Sequence, residues 1–304
     1  MIYRHVALIG LGLIGSSICH AARRAGAVER ITGFARSPET RAKATELGLC
    51  DVKETAREAV IGADCVILCV PVGVCGTIAA EIAPHLKEGA VISDVGSVKQ
   101  DLIAAVAPHL PTHVDFVPAH PMAGTEHSGP EAGFAELFDN RWCLITPLPG
   151  TEAATDRLDG FWQALGARTS RMDPEHHDLV CAVTSHVPHA IAYTMCGVAD
   201  DMRRVTNQEV VQFSAAGFRD FTRIAASDPT MWRDVFLNNR EAVLDVLGRF
   251  TEELMQVQAA IRGGDGEFLF DYFTRTRAIR RGILEAGQDI SAPDFGRIAA
   301  KAQK

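Results

Sequence analysis

No two of the eight cysteines form a Cys-x-x-Cys pair. They stand at 19, 50, 65, 69, 75, 143, 181 and 196, several inside apolar runs, so the pattern offers neither zinc spacing nor a disulfide framework. Buried, reduced thiols in a cytoplasmic protein without a metal are the expectation. Basic charge is also short, with 30 Lys and Arg against 38 Asp and Glu, a net of −8. A protein that grips nucleic acid by its phosphates needs a basic face, so no such partner is expected. A local basic pocket for a small anion stays open. There is no uninterrupted apolar run of about 18 residues, so no membrane partner is expected. A strand, HVALIG, starts almost at the N-terminus, leaving no secretory signal pattern. Lysine is missing altogether between residues 173 and 234.

What the chain does have is apolar content, 47% over 304 residues, enough for about two domains. Strand-like runs occur at 5–10, 31–34, 65–70, 90–95, 114–117, 143–147 and 167–171. Most are continuously apolar, as in strands buried on both faces of a parallel sheet. Helical stretches at 14–25, 38–47, 74–83 and 97–107 lie between them. This alternation predicts a doubly wound α/β domain over 1–171. Beyond it, helical periodicity over 176–199, 207–225, 230–261 and 267–286 predicts an all-helical domain over 172–304. Its apolar stripes would pack on each other or on a second copy of the chain. The tail from Gln288, apart from Pro293-Asp294-Phe295, is expected to be less ordered.

Gly10-Leu11-Gly12-Leu13-Ile14-Gly15 ends the first strand and opens the first helix. G-x-G-x-x-G alone is weak, but here a strand precedes it and a helix follows. Gly10 allows the tight turn, Gly12 the approach of a pyrophosphate, and Gly15 close helix packing. An acidic residue about 20 positions on would bind the ribose of NAD. The chain reads Gly33-Phe34-Ala35-Arg36-Ser37-Pro38 there, with no acid. Arg36 and Ser37 can hold a 2′-phosphate, or Arg36 can only stack on adenine. NADP is expected ahead of NAD. Val70 and Pro71 end the next main strand, where the nicotinamide ribose would lie. Ser97 and Lys99, in DVGSVK, follow another strand end. Ser97 reads either as a site residue or as a helix N-cap, and Lys99 either as a site residue or as a surface charge.

Residues 120–129 read HPMAGTEHSG. His120 follows the strand VDFVPA and so falls at the sheet rim. Pro121 holds it extended, and such a histidine near a nicotinamide suits proton transfer. Gly124 to Gly129 can form a covering loop, with His127 incidental. His176, His177, His186 and His189, in DPEHHDLVCAVTSHVPHA, lack convincing metal-ligand spacing. His186 and His189 share a helix face that Pro188 would disturb. In GFRDFTRIAASDPTMWR, Phe218, Phe221 and Ile224 form a stripe with Asp220 and Arg223 off it. Those two are i,i+3 neighbours, either a solvated face or an arginine aimed by a carboxylate at an anion. Ser227-Asp228-Pro229 caps a further helix.

GLGLIG, DVGSVK, HPMAGTEHSG, SHVPH and GFRDFTRIAASDPTMWRD, in that order over 10–234, resemble the prephenate/arogenate (cyclohexadienyl) dehydrogenases of tyrosine biosynthesis. The resemblance implies a nucleotide-binding domain with a helical dimerisation domain, a homodimer, and oxidative decarboxylation of a small cyclohexadiene. It implies His120 as the group that polarises the C4 hydroxyl or takes its proton, and Ser97 as the group that orients it. Arg223 would bind a substrate carboxylate, with Asp220 positioning it. His189 and Ser185 of SHVPH would line the substrate, and Glu126 would belong to a mobile loop at the mouth. Prephenate is expected ahead of arogenate, with both possible. Without the added regulatory domain of some members, feedback by tyrosine would act at the active site. Two rival readings fit the same architecture. A β-hydroxy-acid dehydrogenase of similar architecture would carry a catalytic lysine in the helical domain, where 173–234 has none. A non-catalytic NADP sensor would lack the histidine or the carboxylate anchor.

Overall fold

A computed structural model of the chain describes residues 1–125, 127–206 and 209–285. Strands β1 (Tyr3–Ile9), β2 (Val28–Phe34), β3 (Asp51–Val52), β4 (Cys65–Leu68), β5 (Val91–Asp94) and β6 (Asp115–Phe116) form one sheet. Their order is β3-β2-β1-β4-β5-β6 and every pairing is parallel. This is the strand order of the doubly wound dinucleotide fold, with its crevice outside the carboxyl ends. Both faces are covered by α1 (Leu13–Ala25), α2 (Pro38–Glu46), α3 (Ala56–Val60), α4 (Cys75–Ile82) and α5 (Gln100–Val106). All eight residues of β4 and β5 are buried, which is why β4 is apolar without alternation, while β5 also buries the polar Ser93 and Asp94. The two-residue β3 is too short for a periodicity reading and had no sequence signal.

The run VDFVPA does not stay in this sheet. Val117 N–H makes the final ladder bond, to Ile92 C=O at 2.9 Å. Pro118 then has no N–H to continue it, and Ala119 N–H turns to Asp94 Oδ1 at 3.2 Å. The chain enters a second, three-stranded sheet of β7 (Ala119–Pro121), β8 (Trp142–Ile145) and β9 (Arg168–Arg171). There β7 runs antiparallel to β8, and β8 parallel to β9. His120 is therefore not at the rim of the main sheet but inside β7, opposite Leu144. Its extended backbone before Pro121 is as expected. Helix α6 (Glu152–Ala164) crosses from β8 to β9, with Phe161 and Trp162 fully buried.

The helical part runs α7 (Pro174–Cys181), a π turn (Ala182–His186), α8 (Val187–Thr206), α9 (Glu209–Gln212) and α10 (Ala216–Thr222). After a 3₁₀ turn (Arg223–Ala226) come α11 (Pro229–Asn238), α12 (Arg240–Gly263) and α13 (Gly266–Glu285). The single helix predicted over 176–199 is thus divided by the π turn, which falls just before Pro188. A proline without N–H cannot close the normal ladder, and a π turn is one way to absorb that defect. The stretch 230–261 breaks at Asn239 (φ −121°, ψ 35°). The stretch 207–225 holds two short helices, with 207 and 208 outside the described residues. Asp228 caps α11 by accepting from Thr230 and Met231 N–H, with Pro229 in the first turn, as the sequence indicated. The tail from Gln288, with Pro293-Asp294-Phe295, lies outside the described residues.

Two compact units result: Met1–His186 together with Ala226–Val243, and Val187–Ala225 together with the chain from Leu244 onward. The strand series ends at β9, where the sequence placed its boundary, while compactness keeps α7 and the π turn with the sheets. The second unit exposes Leu254, Met255, Ile261, Phe270, Phe273 and Ile279. Among the described residues, one helical run, Pro174–Asp201, is long and apolar enough by length and composition alone to cross a membrane. The expectation that nothing would pass that test rested on an uninterrupted apolar run, whereas this one is broken by the polar residues Thr184, Ser185, His186 and His189. Its first turns are held in the sheet unit by buried polar bonds.

Candidate active site

The glycine loop behaves as its residue types require. Gly10 has φ +111°, and a Cβ there would lie 2.3 Å from Cys69 C=O and 3.2 Å from Val70 Cγ1. The loop and the end of β4 are thus pressed together, which brings Val70 to it. A Cβ on Gly15 would lie 2.1 Å from Gly10 C=O. Gly12, the N-cap of α1, faces open space and offers no side-chain cap. First-turn N–H groups of a helix without a cap are donors for an anion. The cradle fits a dinucleotide pyrophosphate; Leu11 is buried in the core behind it, and Leu13 and Ile14 begin α1. Pro71 is exposed and Val70 half-buried, next along the same strand end.

At the end of β2, Arg36 is exposed. Ser37 is the N-cap of α2: its Oγ accepts from Thr40 N–H at 3.2 Å and donates to Glu39 Oε2 at 2.5 Å. It is committed to the helix start, and the Glu39 carboxylate beside it opposes a phosphate. Of the two residues predicted to hold a 2′-phosphate, Arg36 is the one with charge to offer.

The DVGSVK segment closes a buried knot. Asp94 and Lys99 are both fully buried, with Nζ 2.5 Å from Oδ2. Lys99 is no surface charge. Asp94 also accepts from Gly96 N–H (2.7 Å) and, through Oδ1, from Ala119 N–H (3.2 Å). It therefore fixes the residue before His120. Burial raises the Asp94 carboxyl above its ordinary range, opposed by the Lys99 charge. Lys99, not Ser97, is the N-cap position of α5, and the cap itself comes from α7: Asp178 accepts from Lys99 N–H at 2.7 Å and Gln100 N–H at 2.9 Å.

The same carboxylate begins a relay. His177 Nδ1 lies 2.9 Å from Asp178 Oδ1, and His177 Nε2 lies 3.0 Å from His120 Nδ1. The partners fix the tautomers. An oxygen that accepts from Lys99 N–H presents lone pairs, so His177 Nδ1 carries the hydrogen and its Nε2 accepts. His120 must then donate through Nδ1, which leaves its Nε2 with the lone pair. Burial holds His120 well below the usual imidazole range, helped by His177, Lys99 and His186. Burial also lowers His177, while its bond to Asp178 works in the other direction. The result is a neutral, oriented base. Cys181 Sγ lies beside both rings, 3.6 Å from His120 Nδ1 and 3.5 Å from His177 Nε2. Asn239 ties α7 further: its Nδ2 donates to Asp178 C=O at 2.8 Å and lies 3.0 Å from His186 Nδ1.

His120 is thus brought to His177 and Cys181, not to Ser97, which is half-buried in the β5–α5 loop. Ser185 is half-buried in the π turn. His189, half-buried on α8, and Asp220 and Arg223, both exposed, belong to the second unit. The Asp220–Arg223 step crosses from α10 into the 3₁₀ turn. Glu126 lies outside the described residues. Sequence reasoning missed His177 and Asp178 as partners of His120. The adjacent pair in DPEHHD was visible, but it was weighed only as a metal ligand set.

Residues 18–171 match the family model "Prephenate dehydrogenase, nucleotide-binding domain", and residues 173–275 match "Prephenate dehydrogenase, dimerization domain". Cyclohexadienyl dehydrogenase of Zymomonas mobilis is 41% identical over 291 residues, 95% of this chain and 99% of that protein. Prephenate dehydrogenase of Bacillus subtilis is 34% identical, covering 91% of this chain and 76% of that protein. Among solved structures, prephenate dehydrogenase of Aquifex aeolicus, in complex with hydroxyphenyl propionate and NAD+, superposes with a TM-score of 0.85. It is 33% identical and covers 92% of this chain and 98% of that one.

Proposed function

The chain belongs to the prephenate dehydrogenase family, and from that premise we propose how its own residues divide the work. It is an NAD(P)-dependent oxidoreductase with prephenate/cyclohexadienyl dehydrogenase activity in tyrosine biosynthesis. The observation that carries the residue assignment is the Asp178–His177–His120 relay, which leaves a neutral lone pair on His120 Nε2.

When bound, the nicotinamide supplies a hydride acceptor. His120 Nε2 takes the proton of the ring C4 hydroxyl as that carbon is oxidised, and the resulting positive charge is shared toward Asp178 through His177. The C1 carboxylate leaves as CO₂, and its bonding electrons complete the aromatic ring. The proton held on His120 then returns to the same oxygen, now a phenol, so no net proton is released. Residues 1–171 hold the cofactor, through Gly10 to Gly15, Val70, Pro71 and Arg36. Residues 172–304 supply substrate contacts and the dimer interface. Arg223, oriented by Asp220, takes a substrate carboxylate; His189 and Ser185 line the side-chain end; Glu126 is assigned to substrate binding. Ser97 is assigned to orient the substrate hydroxyl from the β5–α5 loop. The exposed apolar face of the second unit supports a homodimer, and the protein acts in the cytoplasm.

Prephenate is favoured over arogenate, since His189 offers no carboxylate to an ammonium group. NADP is favoured over NAD through Arg36, with Glu39 limiting the margin. Cofactor reduction followed by absorbance with each substrate and each cofactor tests both orderings through kcat/KM. A strong arogenate preference, or no turnover with NADP, overturns them. His120→Asn is expected to bind cofactor normally and lose turnover on the order of 10²–10⁴-fold. A near-normal rate in that variant refutes the mechanism.

A further inference from the structure

Cys181 is the one member of the His120 cluster with no part in the proton relay. Its Sγ is 3.6 Å from His120 Nδ1 and 3.5 Å from His177 Nε2, and those nitrogens are 3.0 Å apart. All three side chains are buried, and their ligand atoms lie within 4.8 Å of one another. A tetrahedral zinc ion, with bonds of about 2.3 Å to sulfur and about 2.05 Å to nitrogen, holds sulfur and nitrogen about 3.55 Å apart and two nitrogens about 3.35 Å apart. Both sulfur–nitrogen separations already have this value. The two nitrogens need to part by roughly 0.3 Å, a small ring rotation on the same scale.

The outer shell is also in place. His177 donates Nδ1–H to Asp178, the carboxylate–histidine arrangement that turns Nε2 toward a metal and raises its basicity. His177 and Cys181 are one turn apart on α7, so one helix face supplies two ligands. His120 comes from β7, 57 residues before His177. A set assembled over that distance leaves no spacing motif in the sequence.

We propose that His120, His177 and Cys181 form a binding site for Zn²⁺, and that the bound ion switches the enzyme off. Three protein ligands leave a fourth position for water. On binding, the Cys181 thiol releases its proton to solvent, and the hydrogen on His120 Nδ1 gives way to the metal and reappears on Nε2. The atom meant to accept the substrate proton then carries a hydrogen. Entry is from the His120 side, since His120 keeps 8% exposure while His177 and Cys181 have none. The inhibition rests on the reading of His120 as the base; the binding does not.

The test is titration of chelator-treated enzyme with Zn²⁺ for rate and with Co²⁺ for spectrum. One equivalent of Co²⁺ is expected to give tetrahedral visible bands and a thiolate-to-cobalt charge-transfer band. Zn²⁺ is expected to inhibit at one equivalent, with recovery in EDTA. Cys181→Ala and Cys181→Ser, checked for folding by Tm, are expected to keep near-normal metal-free rates, lose the charge-transfer band and need on the order of 10² times more Zn²⁺ to inhibit. No thiolate band, or equal zinc inhibition of both variants, overturns the site. A thiolate band without inhibition supports the metal site and instead overturns His120 as the base.

Discussion

Replacing His177 by leucine tests the relay without touching a group that meets substrate. In the wild type, His120 Nδ1–H has a buried acceptor 3.0 Å away in His177 Nε2. Leucine removes it. The Nδ1–H tautomer then carries a buried donor without a partner, at a cost of about 1–3 kcal/mol. The ring can avoid that cost by moving its hydrogen to Nε2, which removes the base. At about 1.4 kcal/mol per decade, kcat should fall roughly 5- to 150-fold. The cap of α5 survives, because Asp178 still accepts from Lys99 and Gln100 N–H. Cofactor affinity, measured by fluorescence titration, and KM should therefore change little. His177→Gln places an amide oxygen near the lost nitrogen and should recover part of kcat. A leucine variant within about twofold of the wild-type kcat, or a glutamine variant no better than leucine, would refute the relay.

Four further outcomes follow. His120 and His177 are both lowered in the folded protein, so the acid limb of kcat/KM should lie below about 6.5, the value of an unperturbed imidazole; a limb at or above 6.5 contradicts the neutral base. The same two groups leave stability unchanged above that pH and reduce it as pH falls below about 6.5, because the unfolded chain then binds more protons; urea midpoints against pH read this directly. Arg36→Ala should lower kcat/KM for NADP about tenfold and leave NAD within twofold, a single charge-assisted contact being worth about 1.5–3 kcal/mol at most. Lys99→Met strands the Asp94 carboxylate with only Gly96 and Ala119 N–H, which should cost about 3–5 kcal/mol in urea unfolding, partly restored in the Asp94→Asn/Lys99→Met double variant.

The main sheet was legible because β4 and the end of β1 are buried on both faces and so leave continuous apolar runs in the sequence. The glycine loop was legible because Gly10 and Gly15 occupy positions where a Cβ meets backbone within 2.3 Å. Local steric demands of this kind are written locally. The departure of β7 from the sheet was not legible. It depends on Pro118 lacking a donor and on Asp94, 25 residues earlier, accepting Ala119 N–H instead. The break at Asn239 was hidden for the same reason, since its side chain answers to Asp178 and His186 rather than to its own helix.

The candidate site divides along that line. His120 could be picked out from its neighbours, because a histidine locked by a following proline is a local pattern. Its chemistry could not, because a lone imidazole has two tautomers and only a partner selects one. The selecting chain crosses four elements: Asp94 in β5 fixes Ala119, Lys99 at the start of α5 pairs with Asp94 and bonds Asp178, and α7 carries His177 to His120. Lys99 reads as a site residue or a surface charge, and Asp178 as an ordinary polar residue, until that chain is assembled. DVGSVK and DPEHHD are therefore two halves of one support. A substitution in either should act on the proton acceptor before it acts on cofactor binding.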